Sequence, residues 1–134
     1  MKPGLTPGIH AEVRFEVTEA MCPAFEGEVV HRVCATWTLV HYMEVAGRKI
    51  LVQYLEPGEE GVGSHVSCDH RAPAPVGREV RMVATVTAAT ARELACGVEA
   101  FVENRLIATG KTVQRILPRE LLSRLLHERD RAAE

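Results

Sequence analysis

The chain has 134 residues, 46% of them hydrophobic, which is enough for one cored domain and too few to expect two. A formal net charge of −2, scattered basic residues and only 4% aromatics count against a nucleic-acid surface. No apolar run approaches the length of a membrane span, and the start Met-Lys-Pro-Gly-Leu-Thr-Pro-Gly lacks the apolar core of a signal peptide, so a cytoplasmic protein without membrane partners is expected. Cys22, Cys34, Cys68 and Cys96 form no Cys-x-x-Cys pair; they read as reduced core thiols, and no metal or disulfide framework is expected.

After the loop-like lead-in, Ile9, Ala11, Val13, Phe15 and Val17 alternate with polar residues, the pattern of a strand with one wet face. From Glu19 to Val33 the pattern dissolves into a loop, in a position where loops act as lids. From Thr36 to Leu55 the residues Leu39, Val40, Met43, Ala46, Gly47, Ile50, Leu51 and Tyr54 gather on one arc at 100° per residue, which predicts a long amphipathic helix stopped by Pro57-Gly58. Thr36 is placed to cap its start, and Glu44 lies at the margin of the apolar arc. Val45 and Val52, opposite the main stripe, hint that this side is covered as well.

A second strand places Val62, Ser64, Val66, Cys68 and His70 on one face and Gly63, His65, Ser67, Asp69 and Arg71 on the other. Three more follow with short connections: Val80, Met82, Ala84, Val86 and Ala88; then Leu94, Cys96, Val98, Ala100 and Val102; then Leu106, Ala108, Gly110, Thr112, Gln114 and Ile116. Residues 117–134 carry Leu121, Leu122, Leu125 and Leu126 at helical spacing, with Pro118 suited to a first turn. One long helix beside an antiparallel sheet with one apolar face is solved by wrapping the sheet around the helix. The expected class is therefore α+β, a hotdog arrangement with an extra C-terminal helix, in which an open sheet edge favours a homodimer.

Thr36, Glu44 and His70 are the residues with chemical potential. Taken singly, Glu44 reads as a solvated margin residue and His70 as a hydrogen-bonded rim histidine. Taken together near one end of the helix, a hydroxyl, a carboxylate, an imidazole and a helix N-terminus are the parts of acyl transfer. Cys68 and His70 share a strand face and make a rival thiol or metal pair without an evident third group, whereas His65 and Asp69 read as surface. The aspartate and histidine, a few residues apart, of hydratase-type hotdog enzymes are not seen.

Ala35-Thr36, Met43-Glu44, the turn Tyr54-Leu55-Glu56-Pro57-Gly58-Glu59, Gly63, His70 and the proline loop ending at Gly77 resemble the fluoroacetyl-CoA thioesterase type of hotdog thioesterase, most closely over residues 33–77. The resemblance implies that Thr36, Glu44 and His70 are catalytic, with His70 as base, and that the Gly63 backbone contributes from the neighbouring subunit. It implies hydrolysis of an acyl-CoA by a homodimer, with pairing of dimers into a tetramer as a further option. Coenzyme A enters as part of the substrate, without a separate cofactor, and Arg71, Arg78 and Arg105 are the candidates for its phosphates. The segment before Thr36 is several residues shorter than in that family, and Val30 stands about where its gating phenylalanine lies, so the resemblance does not carry over selectivity for a fluorinated acyl group, and a small or aromatic acyl-CoA is the expected substrate. Two other classes fit the same fold: a non-catalytic module that binds acyl-CoA, and a purely structural dimer protein.

Overall fold

The computed structural model describes residues 1–133. In chain order these form β1 (His10–Glu16), a 3-10 turn (Glu19–Met21), a two-residue pair β2 (Ala24–Phe25) and β3 (Glu28–Val29), α1 (Thr36–Leu51), β4 (Glu59–His70), β5 (Glu79–Ala89), β6 (Glu93–Val102), β7 (Arg105–Pro118) and α2 (Arg119–Ala133). The five long strands make one antiparallel sheet in the order β1-β5-β6-β7-β4, leaving β1 and β4 as its edges. The sheet curls around α1, which touches every strand of it. This is the hotdog arrangement.

The core follows the helix period. Leu39, Met43, Ala46, Gly47, Ile50 and Leu51 are buried on α1, against Val80, Met82, Ala84, Val86, Leu94, Cys96, Val98 and Ala100 of the sheet. Each large aliphatic side chain in this layer stabilises the fold by roughly 1.5–3 kcal/mol relative to leaving it in water. Val40 is only half-buried, at the edge of the stripe.

α1 ends at Leu51, four residues before the expected Leu55. The N–H groups of Gln53 and Tyr54 donate to the carbonyls of Ile50 and Leu51, an i→i−3 tightening that closes the helix as a turn. Tyr54 is half-buried in this turn, whose carbonyl accepts from Lys2 N–H at 2.7 Å. The expected cap also differs: Ala35 is the N-cap residue, Thr36 is the first helical residue, and no side chain caps the end.

Two strands change face partway. In β4 the register against β7 shifts between Gly63 and His65, so Ser64 is an extra residue. Gly61 and Gly63 therefore share the helix-facing side with Val66, Cys68 and His70, in place of the expected Val62 and Ser64. Glycine is needed at Gly61, where a Cβ would lie 2.3 Å from Leu51 Cδ2. In β5 a shift between Val86 and Ala88 turns Ala88 outward. Within the expected loop, Glu26 and Gly27 both take positive φ and join β2 to β3 as a two-residue hairpin. Leu117 and Pro118 end β7, so α2 starts at Arg119 and Pro118 is not its first turn.

Burial also sets the thiols. Cys34 is pushed up to about 11, mainly by burial and secondarily by Cys22 and Cys68 nearby. A folded-state value above the unfolded one, ordinarily about 8.5–9, means that the unfolded chain loses its proton first as pH rises. Stability is therefore expected to be full below pH ~8.5 and to fall toward pH ~11. Urea midpoints between pH 8 and 10.5 check this, and the decline should be shallower in Cys34→Ala.

Candidate functional site

The start of α1 is held by backbone bonds to the preceding segment: Ala35 N–H donates to Met21 O at 2.7 Å, and the Thr38 hydroxyl to the same carbonyl at 3.3 Å. That leaves the Thr36 side chain free to turn toward the sheet. β4 runs antiparallel to the helix direction, so its last residue, His70, arrives beside the helix N-terminus. Thr36 Oγ1 and His70 Nδ1 are 2.9 Å apart. With the proton on Nε2, the hydroxyl donates to Nδ1, the arrangement in which an imidazole can take a hydroxyl proton. His70 Nε2 is buried and has no hydrogen-bond partner among the described residues. Thr36 is the first helical residue and its hydroxyl meets His70 rather than capping the end, so the Thr36 and Trp37 N–H groups stay available to a developing negative charge, while Thr38 N–H donates to Ala35 O at 3.1 Å.

Glu44 is elsewhere. It lies two turns along α1, about 12 Å from Thr36 at 1.5 Å per residue, and stands over Gly63, where an added Cβ would lie 3.0 Å from Oε1. One chain thus holds these groups in two separate places: a hydroxyl with an imidazole, and a carboxylate over a glycine backbone. The first opens onto a shallow concavity lined by Val33, His70, Arg71, Ala72 and Pro73. The second lies in a cavity of about 340 Å³ bounded by His41, Glu44, Val45, Arg48, Gly61, Gly63, His65 and the β7 residues Thr112, Val113 and Gln114. Arg48 bridges helix and strand there, donating to Glu60 at 3.0 Å and to Gly61 O at 3.2 Å, and its hydrogen bond is the main reason the Glu60 carboxyl sits below the usual carboxylate range.

Arg71, Arg78 and Arg105 all fall at the sheet end that carries His70, because β4 ends, β5 begins and β7 begins there. Arg71 adjoins His70 and is exposed, Arg105 is exposed at the β6–β7 turn, and Arg78 is paired with Glu103 at 2.8 Å. Cys68 does share the helix-facing side with His70, but burial and the Asp69 charge push its thiol up, the reverse of an activated thiolate. Among the described residues no three His, Cys, Asp or Glu side chains are grouped to hold a metal ion, and no helix is long and apolar enough to cross a membrane.

Thr112 and Gln114 were legible only as part of the inward alternation of the last strand. Two polar residues at core positions were the available signal.

The family described as fluoroacetyl-CoA-specific thioesterase matches residues 17–120. Among solved structures, a Thermus thermophilus hypothetical protein of the thioesterase superfamily is 41% identical, with 97% of this chain and 98% of that one covered and a TM-score of 0.88. A point mutant of the fluoroacetyl-CoA-specific thioesterase is 25% identical over 96% of this chain and 99% of its own, with a TM-score of 0.85. A hot-dog-like protein from Thermanaerovibrio acidaminovorans, 20% identical over 96% and 93% of the two chains with a TM-score of 0.85, shares the fold. A search of curated proteins gives no match.

Proposed function

The chain belongs to the fluoroacetyl-CoA-specific thioesterase family, and from that premise we propose that it hydrolyses small acyl-CoA thioesters at a site assembled from two copies of itself. The observation that carries the reading is the 2.9 Å contact of Thr36 Oγ1 with His70 Nδ1 at an uncapped helix N-terminus. It supplies a hydroxyl, a base and an oxyanion site at one point.

In the reaction the acyl C–S bond breaks, hydroxide from water ends on the acyl carbon and the proton on the coenzyme A thiolate. His70 takes the proton from the attacking oxygen, whether that of Thr36 or of water, and returns it to the leaving sulfur. The Thr36 and Trp37 N–H groups at the start of α1 face the carbonyl oxygen as it becomes negative. Arg71, beside His70, is the best placed of the three arginines for a coenzyme A phosphate, since Arg78 is already neutralised by Glu103.

A second copy answers the separation of the Thr36–His70 pair from Glu44 and Gly63, which we read as two halves of one site. β4 is a twelve-residue edge strand with one side unpaired among the described residues, a template for another β4. Val45 and Val52, 37% and 47% exposed on the uncovered side of α1, extend the surface that such pairing would bury. Since Gly63 is expected to act from the neighbouring subunit, Glu44, which stands on Gly63 in its own chain, crosses with it. Each of two symmetric sites then joins Thr36 and His70 of one copy to Glu44 and Gly63 of the other.

A panel of acyl-CoAs assayed for free thiol tests the activity; saturable binding without thiol release would instead support a binding module. The shared site is tested by mixing. His70→Ala and Glu44→Ala chains, each inactive alone, should recover about a quarter of parental turnover when unfolded and refolded together at equal amounts, because half of the dimers are mixed and each carries one intact site of two. No recovery, with mixed dimers confirmed by mass, would place the whole site within one chain.

A further inference from the structure

A separate groove lies at the opposite end of the sheet from His70, where β7 ends, β4 and β6 begin and α2 sets off. Its volume is about 680 Å³, within the range of small-molecule sites, and none of the residues assigned to hydrolysis lines it. Ile116, Leu117, Pro118 and Leu121 give it apolar walls, and Ile116 is only 5% exposed. The family match stops at residue 120, so nearly all of α2, the helix that carries Leu121, lies beyond it.

Two arginines belong to the same lining. Arg92 sits in the β5–β6 turn, held in place because its carbonyl accepts Ile116 N–H at 2.8 Å, and Arg115 precedes Ile116 on β7. Arg14, Arg32, Arg48, Arg78, Arg81 and Arg119 are all ion-paired, whereas Arg92 and Arg115 have no acidic partner among the described residues. Glu93 stands across the β6–β7 ladder from Arg115, yet no ion pair joins them. The carboxylate in the lining, that of Glu59, is already engaged by the Met1 ammonium at 2.8 Å and by Glu56 N–H at 2.9 Å. The groove thus sets uncompensated positive charge beside apolar walls, which an anion with an apolar tail complements.

We propose that this groove is a second ligand site, which binds a medium-chain carboxylic acid as its carboxylate, with the head group at Arg92 and Arg115 and the hydrocarbon chain along Ile116, Leu117 and Leu121. A planar carboxylate accepts two parallel N–H bonds from one guanidinium, so two arginines can hold it from two sides. Residues 115–118 extend over about 10 Å of strand, room for a chain of about eight carbons or more. Glu59, although paired, disfavours a dianionic head such as a phosphate in the same space. The bound acid joins the β5–β6 turn, the end of β7 and the first turn of α2, and its binding does not depend on the thioesterase reading.

Calorimetric titration with decanoate, acetate and decyl phosphate tests the site. Decanoate should bind the parent saturably, and more tightly than either of the other two by about tenfold or more. The Arg92→Gln, Arg115→Gln double variant and Leu121→Asp should each weaken decanoate by about tenfold or more, while His70→Ala binds it as the parent does. Both arginines are exposed, so the double variant reports on a folded protein even if Leu121→Asp frees α2 from the sheet. No decanoate binding, or binding that the double variant leaves unchanged, would overturn the site. Loss of binding in His70→Ala would overturn it too, by placing the acid at the reacting centre as a product. Decyl phosphate binding more tightly than decanoate would overturn the carboxylate assignment, and acetate binding as well as decanoate would remove the role of the apolar walls.

Discussion

His70→Ala should lower kcat/KM for the best acyl-CoA by about 10² or more, the usual worth of a positioned general base. The sharper expectation concerns Thr36→Ala and the double variant. If the Thr36 hydroxyl is activated or oriented by His70, the two side chains act as one unit across their 2.9 Å contact. Removing both should then cost about as much as removing His70 alone, rather than the product of the single losses. Thr36→Ser, which keeps the oxygen, should retain most of the activity. Steady-state kinetics on the four variants, with melting curves to confirm folding, decide the matter. Multiplicative losses would mean that Thr36 and His70 do separate jobs.

The largest effect on stability is expected at Gly110. It lies opposite Cys68 on β7, and a Cβ there would be 2.1 Å from the Ser67 carbonyl oxygen and 2.8 Å from Met43 Sδ. The first neighbour is backbone within a paired strand and the second belongs to a fully buried side chain, so neither yields cheaply. Gly110→Ala should destabilise the protein by about 3 kcal/mol or more, at the upper end of overpacking costs and a large share of a typical 5–15 kcal/mol total. Gly97→Ala is the matched comparison, because its Cβ would meet only Thr87 Cγ2, at an ordinary 3.7 Å. Urea denaturation of both gives the answer; equal midpoints would show that β4 and β7 separate more easily than their ladder implies.

The helix, the strand order and the wrapped sheet were legible because burial imposes clean periods: Leu39, Met43, Ala46 and Ile50 repeat as a helix must, and Val80 to Val86 alternate as a strand must. Local hydrogen bonding escaped that reading. Tyr54 continues the apolar arc, yet the chain has already tightened into a turn, since periodicity reports which side is apolar and not which carbonyl an N–H chooses. The faces of β4 were legible from Val66 onward, but not before, because one additional residue in a strand leaves no mark beyond glycines at close approaches, here Gly61 and Gly63. The meeting of Thr36 with His70 was legible from the wrap, which brings the end of the second strand beside the helix start, and from the family-like motif, but not from spacing alone. The distance of Glu44 from that pair is implicit in helical rise, but the consequence appears only once Gly63 is seen beneath the carboxylate.

The additional residue at Ser64 also constrains how such a chain can diversify over generations. Inserting one further residue between Gly61 and Ser64 would shift the strand entry by one position and put another side chain in place of Gly61 against Leu51, whereas removing one only restores the regular ladder. The β2–β3 hairpin has no such restriction, because its residues are exposed and pair only with one another. Added length among descendants is therefore channelled into the segment before α1, where new acyl preferences can be explored while the strand beneath Glu44 gains no residue.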